Sequence, residues 1–215
     1  MNRRGRFITL DGPGGVGKSS TVAALAALLA DEGEAVLPTA EPTDSDLGQF
    51  VRGHADRIGG RALACLIAAD RYDHLEREIL PQLAAGRTVV CDRYLASSLV
   101  VQRLDGVPEE YLLDLHAGVL LPDLAVVLTA APETIAARIA RRGARHRFER
   151  DPDIPRRETA LYERAVVILR GWGVEVLVVD AEVSPPQVIA DRIAAYRPGG
   201  AGQVPPRVVP GRGNS

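Results

Sequence analysis

The sequence predicts an α/β protein: a five-stranded parallel sheet between two layers of helices. Three observations carry that reading. Short apolar runs alternate along the chain with longer segments of helical period, the signature of parallel strands joined by crossover helices. Two of the runs, "RTVVC" and "LAVVL", are apolar throughout rather than alternating, as strands covered on both faces should be. The first run leads into a glycine-rich loop, at the strand end where such sheets bind ligands.

In order, the first strand is Arg6 to Leu10, and the helix after the glycine loop runs from Lys18 to Asp31. A second strand spans Ala35 to Pro38, followed by helices at Ser45 to Arg57 and Arg61 to Ala85. The third strand, Thr88 to Cys91, ends in "DRY" and a further helix, with another at Pro108 to Ala117. The fourth strand is Leu124 to Leu128, with helices at Pro132 to Arg142 and Pro155 to Arg170 after it. Val174 to Val178 is the fifth strand, and Pro185 to Tyr196 the closing helix. The chain of 215 residues, 46% hydrophobic, can bury one substantial core, so residues 1–197 read as one domain. Residues 198–215, rich in Pro and Gly, read as a disordered tail.

A formal net charge of −2 gives no overall field for nucleic acid or an anionic membrane, which leaves small molecules as the expected partners. No apolar run approaches the roughly 18 residues of a membrane span, and the start "MNRRGRFITL" has no signal-peptide apolar region. A cytoplasmic location follows as an expectation. The two cysteines, Cys65 and Cys91, read as small buried apolar residues rather than redox or metal groups.

The chain has 25 arginines and one lysine, Lys18, which stands among four glycines in "GPGGVGKS". This stretch fits G-x-x-x-x-G-K-[ST] between a strand and a helix, the pattern of a P-loop. Gly12, Gly14, Gly15 and Gly17, with Pro13 and Val16 between them, let the backbone turn its N–H groups onto a polyphosphate, and the helix N-terminus adds positive charge. Lys18 can follow the β- and γ-phosphates as a compact charge that a planar guanidinium cannot replace. Ser19, with Ser20 behind it, places a hydroxyl where the Mg²⁺ of bound ATP would sit.

At the end of the third strand Asp92 is placed to hold that metal, and Arg93 to grip an anionic acceptor. Arg138, Arg141, Arg142, Arg145, Arg147 and Arg150 crowd thirteen residues that run from the end of the helix Pro132 to Arg142 past Gly143. They read as an arginine-rich lid, about 141–153, that closes over transferring phosphates, with Arg145 and Arg147 as the candidate catalytic pair alongside Lys18 and Arg93. Phosphoryl transfer to a small acceptor is favoured over an ATPase switch, because no glutamine or second carboxylate is evident to orient water.

The stretches "FITLDGPGGVGKSS", "TAEPTDSDLGQFVR", "LIAADRYDHLEREILPQLAAGRTVVCDRYLASSLVVQ", "PDLAVVLTAAPETIAARIARRG" and "RFER" follow in order the landmarks of thymidylate kinases. The chain resembles that family over about residues 6–196. The resemblance implies a P-loop nucleoside monophosphate kinase fold, often dimeric, using Mg-ATP and acting on dTMP. It places Asp11 beside the glycine loop, Arg93 on the acceptor phosphate and Arg71 at the base, with Glu41, Ile67, Ser97, Ser98 and Val101 around the acceptor. With arginines in the lid and none in the loop, it is similar to the bacterial subtype in which lid arginines do the catalytic work. Four positions depart from the family pattern: Ala40 for an arginine, Thr43 for a glycine, Ile67 for the phenylalanine that stacks on thymine, and Val101 for the tyrosine against the sugar. They predict weakened dTMP binding and poor discrimination against a 2′-hydroxyl. A pyrimidine ribonucleotide, a modified nucleotide or a specialised metabolite stays open as the acceptor.

Overall fold

The computed structural model describes residues 4–144, 147–151, 153–196 and 207–211. Its sheet contains β1 (Phe7–Asp11), β2 (Val36–Ala40), β3 (Thr88–Asp92), β4 (Leu124–Thr129) and β5 (Glu175–Asp180), in the order β2-β3-β1-β4-β5. Every pairing is parallel. The helices are α1 (Lys18–Asp31), α2 (Asp46–His54), α3 (Gly60–His74), α4 (Leu80–Ala84), α5 (Leu95–Leu104), α6 (Glu109–Leu115), α7 (Pro132–Arg142), α8 (Ile154–Gly171) and α9 (Pro186–Ala194). Among the described residues no helix is long and apolar enough to cross a membrane.

The continuous apolar strands split their side chains between two cores, because successive residues of a strand face opposite ways. Phe7, Val89, Cys91, Ala125 and Val127 pack with residues of α3, α5 and α8. Ile8, Leu10, Val90, Val126 and Leu128 pack with α1, α7 and α9 on the other face. The outer strands β2 and β5 are only partly covered. The carboxyl ends of β1 and β3 therefore meet at the middle of the sheet, and they deliver Asp11 and Asp92 side by side.

Three expectations change. The helix expected over 61–85 is interrupted by a π turn at Leu75–Ile79 before α4. Pro81 lies in the first turn of α4 and has no N–H to continue the hydrogen-bond ladder, so an unbroken helix is ruled out there. Of the tail expected to be disordered, residues 207–211 are docked, and the rest lies outside the described residues. Val208 bridges Leu120 in antiparallel fashion, and Val209 is 1% exposed. Val209 N–H donates to Val119 O at 2.8 Å, while Gly118 N–H donates to Val209 O at 2.9 Å. Cys65 is exposed rather than buried, with Sγ 3.2 Å from Tyr111 Oη, whereas Cys91 is buried in the sheet as expected.

Candidate active site

The glycine loop joins β1 to α1. Gly12 has φ +147°, and a Cβ there would collide with the Leu128 carbonyl, so the loop can pass β4 only without a side chain. Gly17 has φ +111° and caps α1, leaving the first N–H groups of the helix facing the loop. Lys18 is 6% exposed, and Nζ donates to Gly12 O and Pro13 O, both at 2.8 Å. Burial, and next the neighbouring Arg93 charge, push its ammonium down to about 7. A polyanion at the loop would favour the charged form again.

Ser19 Oγ donates to Asp92 Oδ2 at 2.5 Å. Asp92 Oδ1 is buried without a hydrogen-bond partner. A hydroxyl and a carboxylate with one oxygen to spare form a hard-oxygen donor set, which fits Mg²⁺ held with most of its waters. Ser20 lies exposed on the same turn of α1.

Asp11 plays a bracing part. Its Oδ1 accepts from the Tyr94 and Ser97 N–H groups, both at 2.9 Å, while burial raises its pKa. Those contacts fix the turn from β3 into α5. Arg93 sits on that turn at φ +69°, the one positive φ outside glycine among the described residues. Such backbone is costly unless its surroundings enforce it. The enforcement is visible: Arg93 N–H donates to Leu10 O at 2.8 Å.

Beyond Arg93 lies a cavity of about 320 Å³. Glu41, Ile67, Arg71, Ser97, Ser98 and Val101 all line it, as does Arg93. Arg71 is 1% exposed and donates through Nε and Nη2 to Glu41 Oε2 at 2.8 and 2.6 Å, with its guanidinium 4.8 Å from the Tyr94 ring centre. Burial works against its charge, and Glu41 more than restores it. One residue that sequence reasoning left out of the site is Gln102. It is 2% exposed and lines the cavity, and its Oε1 has no hydrogen-bond partner. Its place ten residues past Asp92 on the apolar helix α5 was the available signal.

The departures divide in space. Ile67 and Val101 face this cavity, while Ala40 and Thr43 line a larger neighbouring one of about 740 Å³ that reaches Ser19 and Asp92. Thr43 has its own role, since its N–H and Oγ1 donate to Asp70 at 2.8 and 2.6 Å.

The lid residues separate into two groups. Arg138 Nη1 and Nη2 reach Val16 O (3.4 Å) and Ala181 O (3.2 Å), and a Cβ at Gly14 would lie 3.5 Å from Arg142 Nη2. Arg147, by contrast, lines the cavity beyond Arg93 and donates from Nη2 to Asp105 Oδ2 at 2.7 Å. Arg145 lies outside the described residues. The structure thus brings Lys18, Ser19, Asp92, Arg138 and Arg142 to the loop, and Arg71, Arg93 and Arg147 to the cavity beyond Arg93.

Comparison with known proteins agrees with this geometry. The profile of the family described as Thymidylate kinase matches residues 10–193. The thymidylate kinase of Rhizorhabdus wittichii is 39% identical over 206 residues, 89% of this chain and 96% of its own. That of Clavibacter sepedonicus is 38% identical over 209 residues, 86% and 97% of the two chains. The probable thymidylate kinase of Caldivirga maquilingensis is 38% identical over 162 residues, 74% and 79%. The chain belongs to the thymidylate kinase family.

Proposed function

We propose that this nucleoside monophosphate kinase transfers the γ-phosphoryl group of ATP to dTMP, giving dTDP and ADP. The observation that carries the acceptor is the pairing of Arg71 with Gln102 in one cavity behind Arg93. A guanidinium donor and an amide oxygen without a partner suit a ring edge that presents a carbonyl beside an N–H. Thymine and uracil have that edge; cytosine presents an acceptor where the N–H would be.

The glycine loop and Lys18 hold the donor phosphates, and Arg93 holds the acceptor phosphate in line with them. Ser19 and Asp92 would hold Mg²⁺, which when bound neutralises phosphate charge. The lid arginines, Arg142 at the donor and Arg147 at the acceptor, complete the charge around the transferring group. No side chain need act as base, because a phosphate monoester is already largely ionised near neutrality. The reading extends to a homodimer, as the family resemblance implies, and to a cytoplasmic location, as the apolar patterning of the sequence suggests; light scattering on the purified chain tests the first.

The deciding experiment measures ADP release with ATP and Mg²⁺ across the common nucleoside monophosphates. dTMP is expected to give the highest kcat/KM, with dUMP behind it and CMP, AMP and GMP near background. If no monophosphate accelerates ADP release, the proposal fails. Steady hydrolysis without an acceptor would instead favour an ATPase.

A further inference from the structure

The acceptor cavity has an unexpected wall. Ile67 on α3 and Val101 on α5 are both aliphatic, and they leave the cavity without a ring on either helix face. Tyr94 does not supply one: Arg71 covers a face of its ring, Phe7 packs edge-on at 5.0 Å, and its hydroxyl donates to Leu120 O at 2.9 Å. The remaining aromatic residue lining the cavity comes from the lid. It is Phe148, in the 3-10 turn Arg147–Arg150.

That turn is tied down on the acceptor side. Asp56, just past α2, accepts from Arg147 N–H through Oδ1 and from Arg150 Nη2 through Oδ2, both at 2.8 Å. Asp105, at the end of α5, accepts from Arg147 Nη2 at 2.7 Å and from Gly60 N–H. Gly59 gives the Arg147 side chain room, since a Cβ there would come within 3.0 Å of Nη1. Arg147 in turn holds its guanidinium 4.7 Å from the Phe148 ring centre. Two carboxylates on different elements therefore fix where one lid ring sits, by short charge-assisted contacts.

We propose that Phe148 is a specificity-determining residue for the acceptor, closing the side of the cavity that Ile67 and Val101 leave aliphatic, and that Asp56 and Asp105 are the positioning residues that seat it. This rests on the reading that the cavity takes the nucleoside monophosphate. A ring at that wall contacts base and sugar by stacking and by shape. Selection against a 2′-hydroxyl is then supplied by the lid rather than by α5, and depends on the lid being fastened.

The test compares wild type, Phe148→Ala, Phe148→Leu and Asp105→Asn in KM and kcat for dTMP, dUMP and UMP, with the KM for ATP and the melting temperature of each protein. Phe148→Ala is expected to raise the KM for dTMP about tenfold and to shrink the dTMP-to-UMP ratio of kcat/KM about tenfold, leaving the KM for ATP unchanged. Phe148→Leu should recover part of the sugar selectivity through bulk but little of the dTMP affinity. Asp105→Asn should move the same two quantities in the same direction, and combining it with Phe148→Ala should add nothing further. Equal losses for all three acceptors, or an unchanged dTMP KM in Phe148→Ala, would overturn the proposal. A wild type that does not turn over dTMP would defeat the broader reading instead, so the two failures are distinguishable.

Discussion

Glu149 of the lid touches Gly14 of the glycine loop: a Cβ at Gly14 would collide with Glu149 Oε1, and the same oxygen accepts from Arg142 Nη2 at 2.5 Å. The Glu149 side chain is 4% exposed. A carboxylate thus lies where the loop is shaped to take phosphate, and it repels the anion that must bind there. At about 4 Å, with full water screening and Arg142 beside the carboxylate, this repulsion is worth about 1 kcal/mol. Glu149→Gln keeps the shape and removes the charge, so the KM for ATP should fall about fivefold. An unchanged KM would mean that the carboxylate leaves the loop before ATP arrives.

Arg142 and Arg147 should separate kinetically. Arg142 lies against the glycine loop, where charge develops during transfer, and donors of that kind act mainly in the transition state. Arg142→Ala should lower kcat about 10²-fold with a small change in the KM for ATP. Arg147→Ala, on the acceptor side beside Asp105 and Phe148, should act chiefly through the KM for dTMP. Steady-state kinetics with each substrate varied in turn measures both, and the reverse pattern would exchange the two roles.

Lys18→Arg should cost about 10²-fold or more in kcat despite keeping the charge. Nζ fits between the Gly12 and Pro13 carbonyls in a buried site, and a planar guanidinium reaching the same point would displace one of them. Near-normal activity would show that charge alone is sufficient there.

The legible part of this molecule was local. Motif spacing singled out Lys18 and Ser19, and the end of an apolar run singled out Asp92 and Arg93; the structure brings Ser19 and Asp92 within 2.5 Å of each other. That the central strands are covered on both faces was legible too, from runs such as "LAVVL". What stayed hidden was everything decided between distant elements. Nothing in the order of six lid arginines says that Arg142 turns to Gly14 while Arg147 turns to Asp105, since that depends on where α2 and α5 end. Gln102 was visible as part of a motif, but its orphaned oxygen is a property of packing. The docked tail segment escaped for a related reason: two valines in a Pro/Gly-rich stretch carry no periodicity, and the bridge partner of Val208, Leu120, lies 88 positions away.

That tail contributes to stability without taking part in the chemistry. Val209 is 1% exposed, and its backbone N–H and C=O both bond to the 118–119 segment, which leads into β4. Fully burying a valine side chain is worth about 1.5–3 kcal/mol. Val209→Ala removes part of that, and should lower the melting temperature by about 2–6 °C in a chain of this size while leaving kcat unchanged. A variant truncated after residue 206 should lose more. Unaltered melting in the truncated protein would show that the segment is not docked in solution.

Two buried histidines should give the folded state opposite responses to pH. His74 lies among Thr39 Oγ1 (2.9 Å), Glu41 Oε1 (3.2 Å) and Glu78 Oε2 (2.9 Å). Burial works against its charge, but the bonds and charges of Glu41 and Glu78 outweigh it and raise its pKa above the ordinary 6.5. His116 sits 3.3 Å from Arg71 Nη1, and burial followed by that guanidinium charge pushes it well below 6.5. For His74 the folded state holds the proton more tightly than the unfolded chain does. Its stabilisation is complete below about pH 6.5 and is lost as pH rises through the raised pKa. For His116 the unfolded chain takes the proton that the folded state refuses. Stability is retained above about pH 6.5 and is lost as pH falls below it. Each histidine can contribute a slope of at most about 1.4 kcal/mol per pH unit, with opposite signs on the two sides. The melting temperature should therefore peak near pH 6.5. His74→Gln should flatten the alkaline limb and His116→Gln the acid limb, each leaving the other limb in place. Thermal melts of the three proteins across about pH 5 to 9 measure this directly, and limbs that both persist in the two variants would assign the pH dependence to other groups.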